Sequence, residues 1–245
     1  MNLQEKKQYV NENIKYVPEE ELRLFNYNFA CVFTMSSSCI EGNNPVKVEE
    51  VVSITKGHNV KMDESLKRSI YNHFKTYQYM VDAIEKNIEF NEDFVKDLHE
   101  MLLDGIINGG LYRNINLSIK GSNHTPCDYI KVYDRMKKYY DTLAFYEGTD
   151  IQKAAYAHLQ IAKVHPFLDG NGRLARLVMN YMLIKAGYLP INVPRRDMQV
   201  YFNLLEEFKV NKTQVPFEEF IEVRLNREYD RLIAIIDRYK DKTEK

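Results

Sequence analysis

One short segment of the chain combines residue types that suit the binding of a phosphate group. It reads His165-Pro166-Phe167-Leu168-Asp169-Gly170-Asn171-Gly172-Arg173-Leu174-Ala175-Arg176. Apolar residues recur at helical spacing after it, so a helix is predicted to begin near Asn171. Gly170 and Gly172 lack Cβ atoms and would let an anion approach the first-turn N–H groups closely. The segment therefore predicts an anion site at the start of a helix.

Two arginines in the first turn of that helix strengthen the prediction. Arg173 and Arg176 are three residues apart and share a helix face. The positive end of the helix dipole disfavours each cation by about 0.3–1 kcal/mol, which a bound anion would offset. The arginine fork matches phosphate oxygens, so the expected ligand is a polyphosphate. Asp169 would be repelled by phosphate unless a cation stood between them, which predicts Mg²⁺ and a nucleotide.

His165 is the residue of this segment suited to proton transfer. An ordinary histidine has a pKa of about 6.5, so it can take a proton from an attacking hydroxyl near neutral pH. Each feature alone has a plainer explanation, because histidines often pack in cores, Gly-Asn-Gly is often only a turn and helix arginines usually face solvent. Their concentration around one helix start favours a binding site.

Glu41 is a second charge in an unfavourable place. It is predicted to lie in the last turn of the first long helix, where a carboxylate meets the negative end of the dipole. A pair between Glu41 and Arg176 would relieve both ends at once. A solvated carboxylate at a helix end is the alternative, and the residues alone leave it open.

Helical spacing runs through most of the chain and predicts a mostly α protein. Strict alternation is confined to Ile115, Leu117 and Ile119, which predicts a strand between Tyr112 and Lys120 and a small hairpin turning at residues 121–123. The predicted helices run from Pro18 to Glu41, Val46 to Ile54, Asp63 to Asn87, Asn91 to Gly105, Pro126 to Phe145, Ile151 to Val164, Asn171 to Lys185, Arg195 to Asn211 and Phe217 to Arg238.

Composition excludes several classes of function. The chain of 245 residues carries 34 Lys and Arg against 35 Asp and Glu, so bulk attraction to nucleic acid is not expected. Its three cysteines show no CxxC spacing, which argues against a disulfide framework or a zinc site and favours a reducing cytoplasm. His99-Glu100 lacks the second histidine of a zinc-protease helix. No run of about 18 apolar residues occurs, so neither a membrane span nor a signal peptide is expected.

At this point the sequence resembles a known family. Residues 165–176 are similar, position by position, to the motif of Fic-domain proteins: His-Pro-Phe, two variable residues of which the second is acidic, Gly-Asn-Gly-Arg, two variable residues and Arg. Gly121 to Pro126 resembles the flap of that family, although Cys127 stands where a second proline is common. Ala186 to Pro190, with Tyr201-Phe202, is similar to the segment that walls the adenine.

The resemblance implies an all-α Fic fold with a small β-hairpin flap and a protein adenylyltransferase activity. Such an enzyme moves AMP from ATP to a hydroxyl of a target protein, or of itself, and releases pyrophosphate. Gly172 stands where phosphorylating relatives carry lysine, which favours adenylyl transfer. The implied roles are general base for His165, Mg²⁺ ligand for Asp169, α- and β-phosphate cradle for Gly170, Asn171, Gly172 and Arg173, γ-phosphate grip for Arg176, adenine contacts for Tyr201 and Phe202, and flap positions for Ile119, Lys120, Gly121 and His124.

The resemblance also implies a built-in inhibitor. Ser37 to Gly42 is similar to the family's inhibitory motif of Ser or Thr, three variable residues, Glu, and Gly or Asn. Ser37 and Glu41 are four residues apart and share a helix face. Residues 1–45 would then be an N-terminal segment with an inhibitory helix, packed on a Fic domain of residues 46–240. In that arrangement Glu41 binds Arg176 and keeps the γ-phosphate out of its productive place.

Two other functions remain open. Glu41 could orient a water that removes AMP from a modified protein, with His165 protonating the leaving hydroxyl. The chain could also be a non-catalytic module that senses a nucleotide. The flap suggests that a target backbone adds as an extended strand, a mode that reads little side-chain identity. Nothing in the sequence specifies whether two copies pair as a homodimer.

Overall fold

The computed structural model describes residues 1–42, 45–119 and 121–243, with the side chains of residues 41, 42 and 243 left out. Every regular element within these ranges is helical, so the predicted all-α class is confirmed. Short 3₁₀ turns occupy Ile14–Tyr16, Tyr129–Lys131 and Arg195–Asp197. The α-helices are α1 (Leu3–Asn13), α2 (Glu19–Gly42), α3 (Val48–Thr55), α4 (Glu64–Glu85), α5 (Glu92–Leu103), α6 (Val132–Ala144), α7 (Asp150–Val164), α8 (Asn171–Lys185), α9 (Met198–Asn211) and α10 (Val215–Thr243).

The pair α7 and α8 forms the centre of the molecule. Of the 15 residues of α8, 12 are buried, which is typical of a helix enclosed on all sides. The buried face of α7 carries Ala154, Ala155 and Ala157, whose small side chains let neighbouring helices approach closely. The other helices surround this pair, and α2, α4 and α5 each pack against α8. Because α8 is central, neighbouring helices hold its start and the loop before it in place.

Local sequence signals account for most helix ends. The Asn91 side chain caps α5 by accepting the Phe94 N–H at 2.9 Å, as predicted. The predicted limits of α8, Asn171 and Lys185, are confirmed, and Gly187 follows with a φ of +74°. The first long helix also begins and ends close to its predicted bounds.

The first helix, α1, was not predicted. Its only buried residues are Val10 and Asn13, so it shows no apolar stripe that a sequence pattern could reveal. A capping box between Asn2 and Glu5 starts it. It packs on α10 and against the end of α8, where Lys7 donates to the Ala186 carbonyl at 2.9 Å.

The strand expected between Tyr112 and Lys120, which was to turn at residues 121–123, does not form in the part of this segment that the structure describes. Ser122 N donates to Ile119 O at 3.1 Å, so a turn is present. Side chains, rather than a neighbouring strand, bind the main chain here: Asn116 Oδ1 accepts the Tyr129 N–H at 2.8 Å. The expected flap is therefore a loop held by side chains. The predicted flap residue Lys120 lies outside the described residues.

Among the described helices, none is at once long and apolar enough to cross a membrane.

Candidate functional site

The loop between α7 and α8 holds the predicted base. His165 caps the C-terminus of α7 in the left-handed conformation, with φ +51° and ψ +61°. A residue with a Cβ adopts this conformation at a cost of roughly 1–2 kcal/mol, and such strain concentrates at functional sites. The chain reverses here before α8, and His165 is half-buried.

Asn171 fixes the shape of this loop. Its Oδ1 accepts the Phe167 N–H at 2.9 Å, and its Nδ2 donates to Phe167 O at 2.9 Å. Both ends of the amide are therefore engaged with the main chain of the loop. The predicted phosphate contact of Asn171 would have to come from its main-chain N–H.

The start of α8 has the geometry expected of an anion site. Gly170 precedes the helix with a φ of +74°, and no side chain caps the first turn. A Cβ on Gly170 would lie 3.4 Å from His99 Nε2, close to an ordinary contact, so glycine suits this position mainly by its conformation. Gly172 is partly exposed in the first turn. The Gly170 N–H donates to Asp169 Oδ1 at 2.7 Å, so an anion at this helix start would be bound by the N–H groups from Asn171 onward.

His99 of α5 supports this start from behind and was not predicted as part of the site. Its Nδ1 accepts the Gly110 N–H at 2.9 Å, so the proton lies on Nε2, which donates to the Asp169 carbonyl at 2.8 Å. Its ring also stacks on Phe167 at 3.7 Å. Burial lowers the pKa of His99 to about 4, so the ring is neutral at physiological pH.

Asp169 and Arg173 lie where the loop meets the start of α8. The Asp169 side chain is 62% exposed, and its Oδ2 lies 3.4 Å from Arg173 NH2. Arg173 is largely buried and also donates from NH1 to Ser69 Oγ of α4 at 2.7 Å. The structure thus brings the predicted metal ligand next to the predicted phosphate-binding arginine, and it adds Ser69 as a support.

Arg176 is the most deeply buried charge of the site, with 1% of the residue exposed. Its Nε donates to Ser37 Oγ at 2.9 Å and its NH2 to Ser37 O at 3.1 Å, so the end of α2 docks directly on this guanidinium. Glu41 follows one helical turn later in α2, and its side chain lies outside the described residues. The structure therefore places Ser37 at Arg176, and the Glu41–Arg176 pair stays a prediction.

The two rings predicted to meet adenine have different surroundings. Tyr201 is 1% exposed, and its hydroxyl lies 3.4 Å from Arg176 NH1 and 3.0 Å from His158 Nε2. Burial first, and then the charge of Arg176, hold the pKa of His158 well below its usual value. Phe202 is 38% exposed and is the ring open to a ligand. Tyr201 therefore connects α9 to Arg176 through its hydroxyl group.

The predicted flap is anchored on α9. Glu206 accepts hydrogen bonds from Ser122 Oγ and, at 3.0 Å, from Asn123 N. Burial acts to raise the pKa of Glu206, but these bonds and the charge of Lys209 outweigh it and lower the pKa. The Glu206 carboxylate therefore stays ionised at the tip of the loop.

The remaining flap positions lie close to this anchor. His124 Nε2 lies 3.1 Å from Lys163 O near the end of α7. Gly121 turns the chain with a φ of +79°, and Ile119 precedes it. The flap tip is thus held between α7 and α9, beside the loop that carries the predicted base.

Arg113 joins the predicted flap to the loop that carries His165, and sequence reasoning did not identify it. Its main-chain N–H donates to Pro166 O at 2.8 Å and its Nε to His165 O at 2.8 Å. The residue is 3% exposed. A single arginine in a loop carries no sequence signal that separates such a role from a solvent-facing one.

Comparison with known proteins defines the class. Residues 89–183, which include the whole segment from His165 to Arg176, match the model of the Fic/DOC family. These residues are therefore similar to a Fic domain.

Individual relatives agree with this assignment. The chain is 30% identical over 150 residues to the protein adenylyltransferase Fic of Drosophila willistoni, a match covering 59% of this chain and 29% of that protein. The structure superposes on a Fic domain-containing signaling protein from Bacteroides thetaiotaomicron with a TM-score of 0.81 and 22% identity, covering 96% of this chain and 95% of that one. Fic-1 from C. elegans gives a TM-score of 0.80 at 18% identity, covering 96% of this chain and 71% of that one. The structural matches show the Fic fold, and this chain spans about 29% of the length of the curated relatives it matches.

Proposed function

We propose that this protein transfers AMP from ATP, with Mg²⁺, to a hydroxyl group of a target protein and of itself, and that α2 inhibits this transfer. The observation that carries the proposal is the gathering of His165, the uncapped start of α8 and two buried arginines around one loop. The adenylyltransferase name of relatives that are 29–30% identical over 150 residues supports it.

The N-terminus of α8 would hold the phosphates. The N–H groups of Asn171 and Gly172 in its first turn suit the α- and β-phosphates, and Gly170, whose own N–H donates to Asp169 Oδ1 at 2.7 Å, lets them approach because it lacks a Cβ. Arg173 adds a fixed positive charge because Ser69 Oγ accepts a hydrogen bond from its guanidinium. Arg176 would bind the γ-phosphate, and Phe202 offers an open ring to the adenine. These contacts select a nucleoside triphosphate by charge and by helix geometry.

His165 would act as general base. It takes the proton of the attacking hydroxyl while the hydroxyl oxygen forms a bond to the α-phosphorus and the bond from that phosphorus to the bridging oxygen breaks. Pyrophosphate then leaves with the bonding electrons. The cradle on α8 aligns the α-phosphate with the attacking oxygen, and such alignment can supply roughly 7–11 kcal/mol of barrier reduction.

Asp169 is the residue suited to Mg²⁺. No group of three His, Cys, Asp or Glu side chains gathers in the described ranges, so a metal enclosed by protein ligands alone does not fit there. A single, largely exposed carboxylate beside a phosphate cradle fits Mg²⁺, which commonly takes one or two carboxylates together with phosphate oxygens and water. When bound, the ion would neutralise charge on the phosphates.

We propose that residues 1–45 act as an inhibitory segment on the Fic domain of residues 46–240. The two hydrogen bonds from Arg176 to Ser37 support this, because they fix the end of α2 against the arginine assigned to the γ-phosphate. A Glu41 carboxylate paired with Arg176 would occupy that arginine. ATP would then bind with its α-phosphate out of line.

The test is label transfer in matched variants. We expect Glu41→Gly to raise incorporation of label from α-³²P ATP into the protein, with no label from γ-³²P ATP, because AMP and not phosphate is moved. His165→Ala should abolish labelling in either background. Glu41→Gln separates loss of charge from loss of helix, and Glu20→Gly, at the exposed far end of α2, controls for glycine in a helix. A silent Glu41→Gly protein would contradict the inhibitory role, and labelling of His165→Ala would contradict the base.

The compartment and partners follow the same proposal. Cys31, Cys39 and Cys127 are free thiols, which suits a reducing compartment, and we propose the cytoplasm. The partners would be ATP, a hydroxyl-bearing target protein and the chain itself.

A further inference from the structure

We propose that Arg113 is a positioning residue that holds both His165 and the flap for transfer, without contributing to nucleotide binding. The inference rests on the proposed role of His165 as base. The flap loop is defined here as residues 113–119 and 121–127. Arg113 stands at its first position and lies almost entirely out of solvent.

Arg113 binds main-chain carbonyls at the end of α7 and in the loop that follows it. Its Nε donates to His165 O at 2.8 Å, its NH2 to Val164 O at 3.5 Å, and its main-chain N–H to Pro166 O at 2.8 Å. Three successive carbonyls of the helix end and the catalytic loop are thus bound by one residue. The last carbonyls of a helix lack intrahelical partners and carry the negative end of its dipole, so a buried guanidinium there is strongly held.

These bonds hold the main chain of His165 in the left-handed conformation, which is unfavourable for a residue with a Cβ. A histidine at φ +51° is strained, and it stays there only when its surroundings hold the main chain. Arg113 binds the carbonyl of His165 itself and the carbonyls on either side. The direction in which the imidazole leaves the main chain therefore depends on Arg113.

The same guanidinium also binds both ends of the flap loop. NH1 donates to Ile115 O at 2.8 Å, and NH2 donates to the carbonyl of Cys127. The Arg113 side chain thus binds the beginning and the end of the flap loop, while Glu206 binds its tip. The base and both ends of the flap share one anchor.

The phosphate cradle is held by residues other than Arg113. His99 binds the Asp169 carbonyl, and Ser69 binds Arg173. Loss of the Arg113 fork should therefore displace the base and the flap while the nucleotide contacts stay in place. This separation predicts a change in turnover without a change in ATP affinity.

The experiment uses Arg113→Lys and Arg113→Gln in the full chain carrying Glu41→Gly. Lysine keeps the charge and loses the planar fork, so it cannot bind carbonyls on both sides at once. We expect the rate of self-labelling from saturating α-³²P ATP to fall about 10- to 100-fold in both variants, which is the scale of a misplacement near 1 Å. Calorimetric affinity for Mg²⁺ with a non-hydrolysable ATP analogue should equal that of the parent.

Two further measurements keep the inference falsifiable. Arg224→Lys removes another buried fork, one paired with Asp197, and should lower the thermal midpoint without lowering the labelling rate measured well below that midpoint. The imidazole resonances of His165, assigned by their loss in His165→Ala, should shift in Arg113→Lys, while those of His99 should not. This spectrum reports the position of the base whether or not the protein transfers AMP.

Three results would overturn the inference: parental labelling in Arg113→Lys, unmoved His165 resonances, or an ATP affinity that falls in proportion to the rate. Retained labelling in His165→Ala would instead overturn the proposed function. A shifted His165 resonance with no labelling in any variant would support the structural role of Arg113 and refute the transferase.

Discussion

Acidification should destabilise this protein through His99, and the size of the effect can be worked out from its surroundings. The pKa of His99 is about 4 in the folded protein because the ring is buried, against about 6.5 in an unfolded chain. Between these values the unfolded state binds more protons, so stability rises with pH there. The contribution is complete above pH 6.5 and is lost as the pH falls toward 4. At about 1.4 kcal/mol per pKa unit this amounts to roughly 3 kcal/mol, of which about 2 kcal/mol should be lost by pH 5.

The hydrogen bond at Nδ1 opposes protonation in addition to burial. Nδ1 accepts the Gly110 N–H, so a second proton on the ring would set two N–H groups against each other. Two substitutions separate the two ends of the ring. His99→Asn can keep an acceptor near Nδ1 and loses the donor to the Asp169 carbonyl, whereas His99→Gln can keep that donor and loses the acceptor.

Urea unfolding at pH 7.5 and pH 5 measures this effect. His73 and His158 are also buried with lowered pKa values, so the wild type has further pH dependence of the same sign. The informative quantity is therefore the difference between wild type and variant. Both His99 variants should lose about 2 kcal/mol of the pH-dependent change, and only His99→Asn should weaken binding of a Mg²⁺–ATP analogue at pH 7.5. An unchanged pH dependence in both variants would refute the assigned tautomer, and equal ATP affinity in both would refute the support of the cradle by His99.

Two further substitutions test the supports around the site. Tyr201→Phe removes the hydroxyl between Arg176 and His158, so we expect a loss of about 1 kcal/mol or more in urea unfolding and a lower labelling rate in the Glu41→Gly background; unchanged values for both would contradict this role. Glu206→Gln weakens the charge-assisted hold on Ser122 and the flap tip, so proteolysis within residues 119–124 should become faster while ATP affinity stays constant, and an unaltered cleavage rate would contradict the anchor.

The start of α8 could be predicted from the sequence because its signals are local. Gly170 and Gly172, the apolar face that follows and the stop at Gly187 lie within one helix and its ends. Two arginines in an unfavourable turn pointed to an anion without knowledge of any other part of the chain. The same reasoning fixed the end of α2, and the structure places Ser37 of that helix on Arg176.

The supports of the site could not be predicted because they join residues far apart in the chain. His99 binds the main chain 70 positions later, and Arg113 binds that of residue 165. A single histidine or arginine carries no spacing from which such a partner could be inferred. The expected strand at Ile115 to Ile119 failed for a related reason: alternation describes which side chains face inward, whereas a strand also needs a partner for its main chain, and here side chains such as Asn116 bind the main chain instead.

The separate supports are consistent with the proposed inhibition and the proposed transfer sharing one site. The cradle depends on α5 through His99 and on α4 through Ser69, whereas Arg176 is bound from α2 through Ser37. Displacement of the end of α2 at Ser37 would therefore change the partner of Arg176, while His99 of α5 and Ser69 of α4 stay at the cradle. A regulator acting on α2 needs to replace two hydrogen bonds to Ser37, each of which is worth about 1.5–3 kcal/mol when a charged group donates. Because a bound γ-phosphate would supply bonds of the same kind to the same guanidinium, displacement of α2 and productive binding of ATP should favour one another.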